Sequence, residues 1–312
     1  MDAEQLLDPS YRFFLDEPPS RWTLTTLAEI RHRVSSGYKP ASSARCEVLW
    51  TSGSPAISGV RVCLYRPEAP PDDQALATVF YIHGGGFVLG CPEMADDYLA
   101  DLANQLKVAV VAVDYRLAPE HPFPTPLEDC YTALGWMERN STTLGLDMSR
   151  VVIMGHSAGG GLAAALAIAA RDRGWHPIAG LLLIYPMLDH RTGSSTAPAT
   201  NPTTGRLGWG PEANQFCWQC MRGSYELDDE RLALFSPALA PDLKGLPTTF
   251  VCVGALDLFL EEDVDFALKL SRSGVAVELH VYPGVPHMFD QYPGALTARC
   301  RDDVAAAIKR LC

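Results

Sequence analysis

The chain has 312 residues, a net charge of −12 at neutral pH, a pI near 5.1 and nine cysteines. The acidic surplus argues against nucleic acid as substrate or partner, and there is no apolar run of about 18 residues to span a membrane. Residues 1–20 lack the charged-then-apolar pattern of a secretion signal, and nine cysteines without regular spacing read as reduced thiols; both point to the cytoplasm.

From the N-terminus, residues 1–44 follow no strand and helix rhythm and supply Tyr11, Phe13, Phe14 and Trp22, which suit either a pocket wall or internal packing. Two β-rich runs at 46–50 and 60–65, separated by the turn-rich 51–59, predict an antiparallel start to a sheet. A strand over 78–82 then runs into His83-Gly84-Gly85-Gly86-Phe87. Three successive glycines cost backbone entropy and pack no side chains, so the loop either turns its amides towards an anion or is a flexible turn. His83 reads as a brace for this loop and not as a base. A strand over 108–113 leads into DYRLAPEHPFP at 114–124, where Arg116 and Glu120 read as charges that steady the glycine loop.

Residues 151–166 read VVIMGHSAGGGLAAAL: a strand over 151–154, a Gly-His-Ser-Ala-Gly turn, and a helix over 162–170. Ser157 falls at the strand-to-helix corner, where the side-chain-free Gly155 and Gly159 let backbone pass close on both sides. A glycine-rich turn that binds nothing has similar residues, but the flanking strand and helix are the setting of a nucleophile elbow. After a strand over 180–184, residues 190–234 break the rhythm again and carry Trp209, Phe216, Trp218, Met221 and Tyr225, which suit a substrate pocket or a core of their own. Cys217 and Cys220 form a C-x-x-C, but no second ligand pair accompanies them, so no metal or redox role is expected.

The strand over 249–253 is followed by Asp257, at the end of a strand where ligand chemistry collects. Glu261, Glu262 and Asp263 continue an acidic first turn, so Asp257 also reads as a helix cap. In the last strand, 277–282, Val277, Leu279 and Val281 alternate with polar residues and predict one apolar face. The stiff turn Pro283-Gly284-Val285-Pro286 then delivers His287 beside the strand ends, third in a Ser, Asp, His order.

These strands, alternating with helical stretches, predict an α/β chain with a mostly parallel sheet. The motifs HGGGF at 83–87, DYRLAPEHPFP at 114–124, GHSAGG at 155–160, YPMLD at 185–189 and SPALA at 236–240 resemble those of the hormone-sensitive-lipase-like esterases among the α/β-hydrolases. The resemblance implies an α/β-hydrolase fold: a mostly parallel twisted central sheet flanked by helices. The core would span 45–189 and 235–312, and a helical cap would come from 1–44 and the insertion 190–234. It implies a Ser157, Asp257, His287 triad, an oxyanion hole made by the amides of Gly84, Gly85 and Ala158, and no cofactor or metal. His287 would take the Ser157 proton and pass it to the leaving alcohol, while Asp257 holds the imidazole.

The implied activity is hydrolysis of small to medium, fairly apolar carboxylic esters through an acyl-enzyme. Acyl transfer, amide cleavage and lactone opening use the same intermediate and stay open. The gibberellin receptors also resemble this family but lack the catalytic histidine, whereas this chain keeps His287. Two positions depart from the family pattern: His156, read as a supporting residue, stands where Asp is usual, and Met288 stands where Gly is common. Some relatives pair through sheet edges, so a homodimer is among the expectations.

Overall fold

The structure is a computed structural model that describes residues 3–17, 20–37, 45–53, 59–69, 74–175, 178–227 and 230–312. Eight strands form one sheet: β1 (Glu47–Trp50), β2 (Arg61–Tyr65), β3 (Leu76–Ile82), β4 (Ala109–Asp114), β5 (Leu146–His156), β6 (Gly180–Ile184), β7 (Thr249–Gly254) and β8 (Val277–Tyr282). Their order is β1-β2-β4-β3-β5-β6-β7-β8. β2 runs antiparallel to both β1 and β4, and every other pairing is parallel. The antiparallel start is as expected, although residues 54–58 of its connecting turn lie outside the described residues, as does the 38–44 end of the first expected cap segment.

The helices are α1 (Ala3–Leu6), α2 (Leu27–Ser35), α3 (Asp96–Leu106), α4 (Thr125–Arg139), α5 (Ser141–Leu144), α6 (Ala158–Asp172), α7 (Pro211–Arg222), α8 (Leu232–Phe235), α9 (Leu260–Arg272) and α10 (Ala295–Leu311). A strand covered on both faces reads as a continuous apolar run, because successive side chains enter opposite layers. In β3, Phe80 and Ile82 join α4, α6 and α9 in one core, while Val79 and Tyr81 join α3 and α10 in the other. Residues 158–170 of α6 are all buried, which explains its run of Gly and Ala: larger side chains would hold the sheet and its neighbours apart.

Two sequence expectations need correction. β5 is longer than 151–154, because Leu146 pairs with Leu76 before a shift in register. β8 does not present one clean apolar face. Val277 and Leu279 are partly buried against the core, but Val281 is 44% exposed at the sheet edge, and the Tyr282 side is held by the hydroxyl bond to Asp303 of α10, at 2.8 Å.

Candidate active site

His83, Ser157, Asp257 and His287 follow the carboxyl ends of β3, β5, β7 and β8, so the topology alone gathers them at one end of the sheet. The corner at Ser157 is sharp: its φ of 55° and ψ of −122° are costly for a residue with a Cβ and are held by the surroundings. Glycine is required on either side. A Cβ on Gly155 would lie 2.1 Å from the Gly159 carbonyl oxygen, and one on Gly159 would lie 2.2 Å from that of Ile82. The Ser157 amide donates to Ile184 at 2.9 Å, tying the corner to β6.

The glycine loop closes over this corner. A Cβ on Gly84 would lie 3.0 Å from the His156 carbonyl and 3.4 Å from Ser157 Cβ, and one on Gly85, at φ 110°, would lie 2.1 Å from the Leu89 carbonyl. Among the described residues no acceptor takes the amides of Gly84 or Gly85. Ala158 opens α6, where the first amides have no carbonyl one turn earlier and the helix end favours negative charge. His83 does brace the loop: its ring stacks on Tyr115 at 4.2 Å, its Nδ1 lies 2.7 Å from the Gly84 carbonyl, and burial pushes its imidazole pKa down.

The predicted serine, aspartate and histidine meet. His287 Nε2 lies 2.9 Å from Ser157 Oγ, and Nδ1 lies 2.7 Å from Asp257 Oδ2. A carboxylate only accepts, so this geometry puts the imidazole proton on Nδ1 and leaves Nε2 to accept from the serine hydroxyl. Asp257 is fully buried, and its other oxygen accepts from the Phe259 amide at 2.9 Å. That bond closes a turn just before α9, which begins at Leu260 with no side-chain cap, so the reading of Asp257 as a helix cap is not met. Tyr185 and Phe259 pack edge-on against the His287 ring at 4.6 and 5.0 Å. Met288 adopts the left-handed conformation with φ 61°, a conformation that favours glycine, in keeping with the expected departure at this position.

His156 has a different set of neighbours. Its Nε2 lies 3.5 Å from Asp290 Oδ2, Nδ1 has no partner among the described residues, and the rings of Tyr81, Tyr98 and Tyr185 surround it edge-on. Tyr185 donates to the other Asp290 oxygen at 2.6 Å. Burial pushes the Asp290 carboxyl up, but His156 and the Tyr185 hydroxyl outweigh it and hold the group below the ordinary value. Sequence reasoning missed Asp290. Its place three residues beyond His287 is the only local signal.

A cavity of about 1130 Å³ opens above Ser157. Trp209 lines it and packs 6.0 Å from His287, and Phe14, Trp22 and Ile30 line it from the N-terminal segment. Trp218, Met221 and Tyr225 are buried in the core instead, and Phe216 packs against Trp22 without reaching the cavity. Cys217 is buried behind the glycine loop, where a Cβ on Gly86 would lie 2.7 Å from its sulfur. The brace expected from Glu120 is indirect. Arg31 of α2 pairs with Glu120 at 2.7 Å and donates to the Val88 and Ala118 carbonyls at 2.6 and 2.8 Å. Arg116 instead pairs with Asp129 of α4 at 2.7 Å, away from the glycine loop.

Comparison with known proteins agrees with this layout. A family model described as the alpha/beta hydrolase fold matches residues 79–291. "Carboxylesterase NlhH" of Mycobacterium tuberculosis is 33% identical over 97% of this chain and 96% of its own length. "Ethyl acetate hydrolase" of Pseudomonas putida is 36% identical over 73% of this chain and 70% of its own. The solved structure of "Bacterial Heroin Esterase" superimposes with a TM-score of 0.87 at 32% identity, covering 99% of this chain and 98% of the other. With the family model matching about two thirds of the chain and these relatives covered over most of their length, the chain belongs to the α/β-hydrolases, in the hormone-sensitive-lipase-like esterase family.

Proposed function

We propose that the chain is a serine carboxylesterase that cleaves small to medium, fairly apolar esters without a cofactor. The observation that carries this reading is the unbroken chain of contacts from Asp257 through His287 to Ser157 Oγ, at 2.7 and 2.9 Å. Ser157 Oγ attacks the ester carbonyl carbon as His287 Nε2 takes its proton. The oxyanion of the tetrahedral intermediate accepts from the amides of Gly84, Gly85 and Ala158, each such donor contributing about 2.7–4 kcal/mol in studied enzymes. Collapse breaks the bond to the alcohol, which leaves with the proton from His287. Water, deprotonated by the same nitrogen, then attacks the acyl-enzyme and releases the acid.

Phe14, Trp22 and Trp209 along the cavity support an apolar substrate, and two relatives bear the names of a carboxylesterase and an ethyl acetate hydrolase. Residues 1–44 and 190–234 act as the cap that chooses the substrate. None of the nine cysteines is in a disulfide, which supports a reducing, cytosolic setting. The test pairs a short-chain nitrophenyl ester with a labelled fluorophosphonate. Wild type turns over the ester and takes the label, and Ser157→Ala does neither; equal labelling of the two proteins would sink the assignment.

A further inference from the structure

A second wall of the cavity differs in chemistry from the apolar residues of the cap. Tyr81, Tyr98, His156 and Asp290 line it, and His156 directly precedes Ser157 in the chain, so this wall borders the reacting centre. Its charges are already engaged. Asp290 takes the Tyr185 hydroxyl at 2.6 Å and lies 3.5 Å from His156, while Arg301 donates to the Asp290 carbonyl at 2.9 Å and stacks over Tyr98 at 5.5 Å. Besides the buried Nδ1 of His156, two polar groups remain. Neither the Tyr81 nor the Tyr98 hydroxyl has a hydrogen-bond partner among the described residues, and both rings pack against His156, at 5.5 and 5.9 Å.

A phenol hydroxyl both donates and accepts, and is left at a cost when a bound ligand strips its water without replacing the bond. Two such groups on one wall suit a neutral group that does both, such as an alcohol hydroxyl. The cavity carries acids (Glu93, Asp96, Asp97) and bases (Arg33, Arg45, Arg206, Arg301) alike, with Glu93 paired to Arg61 and Asp97 to Arg45. Its charges therefore do not select an ionic group, and the paired donor and acceptor of the two hydroxyls decide the ligand. We propose that Tyr81 and Tyr98 form a specificity-determining polar subsite for a neutral hydroxyl group, several bonds from the scissile ester, with His156 as the positioning residue that holds both rings. The inference deepens the esterase reading and rests on it for the nature of the ligand.

The test uses Ser157→Ala, which retains the cavity without turnover, and two matched pairs of esters that differ by a hydroxyl in place of a methyl. The alcohol arm is probed by 3-hydroxypropyl butyrate against butyl butyrate, and the acyl arm by propyl 5-hydroxypentanoate against propyl hexanoate. Binding is followed by nuclear magnetic resonance titration. Adding Tyr98→Phe or Tyr81→Phe shifts the affinity ratio against the hydroxyl ester by about three- to tenfold in one arm, the worth of one neutral hydrogen bond. Tyr131→Phe, on α4 beside Trp175, leaves both ratios alone. Ratios within about twofold of the parent in both arms for both variants, or no saturable binding of any of the four esters, would overturn the subsite. Absence of hydrolysis by the wild-type protein, with the ratios shifting as stated, would instead refute the esterase reading alone.

Discussion

On one side of Ser157, His287 bridges a carboxylate and the serine hydroxyl at 2.7 and 2.9 Å; on the other, His156 stands 3.5 Å from a carboxylate and its second nitrogen finds no partner among the described residues. Both imidazoles are buried, both have an aspartate, and both line the cavity. What separates them is where the far nitrogen ends. His287 arrives on a loop from another strand and meets the hydroxyl head on. His156 is the last residue of β5, and the elbow sends its side chain and that of Ser157 in different directions. A histidine next to the nucleophile in sequence is therefore the poorer base, and a neighbouring carboxylate does not by itself make a dyad.

The largest difference between the two pairs should appear in turnover. His287→Asn removes the base and is expected to cost about a thousandfold or more in kcat. His156→Asn, which keeps a polar side chain beside Asp290, is expected to cost no more than about tenfold. Similar losses from the two variants, measured on one nitrophenyl ester, would move the base to His156 and dissolve the contrast.

A smaller effect separates the carboxylates by acid stability. Asp290 sits below the ordinary value of 3.8, so it contributes stability that is present above that pH and is lost as the pH falls through its lower folded value. Asp290→Asn should lower stability by about 1–3 kcal/mol at neutral pH and by less in acid. Urea denaturation at several pH values measures the slope, and an unchanged slope would show that the Asp290 contacts contribute nothing.

The smallest effect has the opposite sign. Asp263 of α9 is fully buried, neither of its oxygens has a partner among the described residues, and burial, with Glu262 and Asp257 nearby, pushes it well above 3.8. The native state then holds a proton that the unfolded chain releases, so stability falls as the pH rises from about 3.8 towards the raised value. Asp263→Asn cannot ionise and should flatten that fall, gaining about 1 kcal/mol at alkaline pH. A variant that loses stability across the whole range would show that the carboxyl is well placed after all.

Much of the layout is legible in sequence because it rests on local rules. The runs at 180–184 and 277–282 match β6 and β8 residue for residue, and the glycines at 155 and 159 stand where a Cβ would strike a carbonyl. The parts that were not legible depend on residues far apart in the chain. Arg31 reaches carbonyls and a carboxylate 57–89 residues away, and Asp290 meets Tyr185 across 105. No periodicity marks such partners. The alternation in β8 misled for a related reason: it fixes which side chains share a face, whereas the cover on each face is decided by α9, α10 and the open sheet edge.

The N-terminal segment is joined to the opposite end of the chain beside His287. The Asp8 amide bonds the Gly284 carbonyl at 2.8 Å, Tyr11 bonds Thr297 at 2.9 Å, and Phe13 and Phe14 pack on Tyr292 at 4.6 and 5.3 Å. The loop carrying His287 is thus clasped from outside by the first turns of the protein. A substitution or deletion within residues 8–14 would therefore perturb the loop that carries His287, and kinetic constants would have to be compared between proteins identical in this segment. The same holds for changes in α10 around Thr297, which the same clasp ties in.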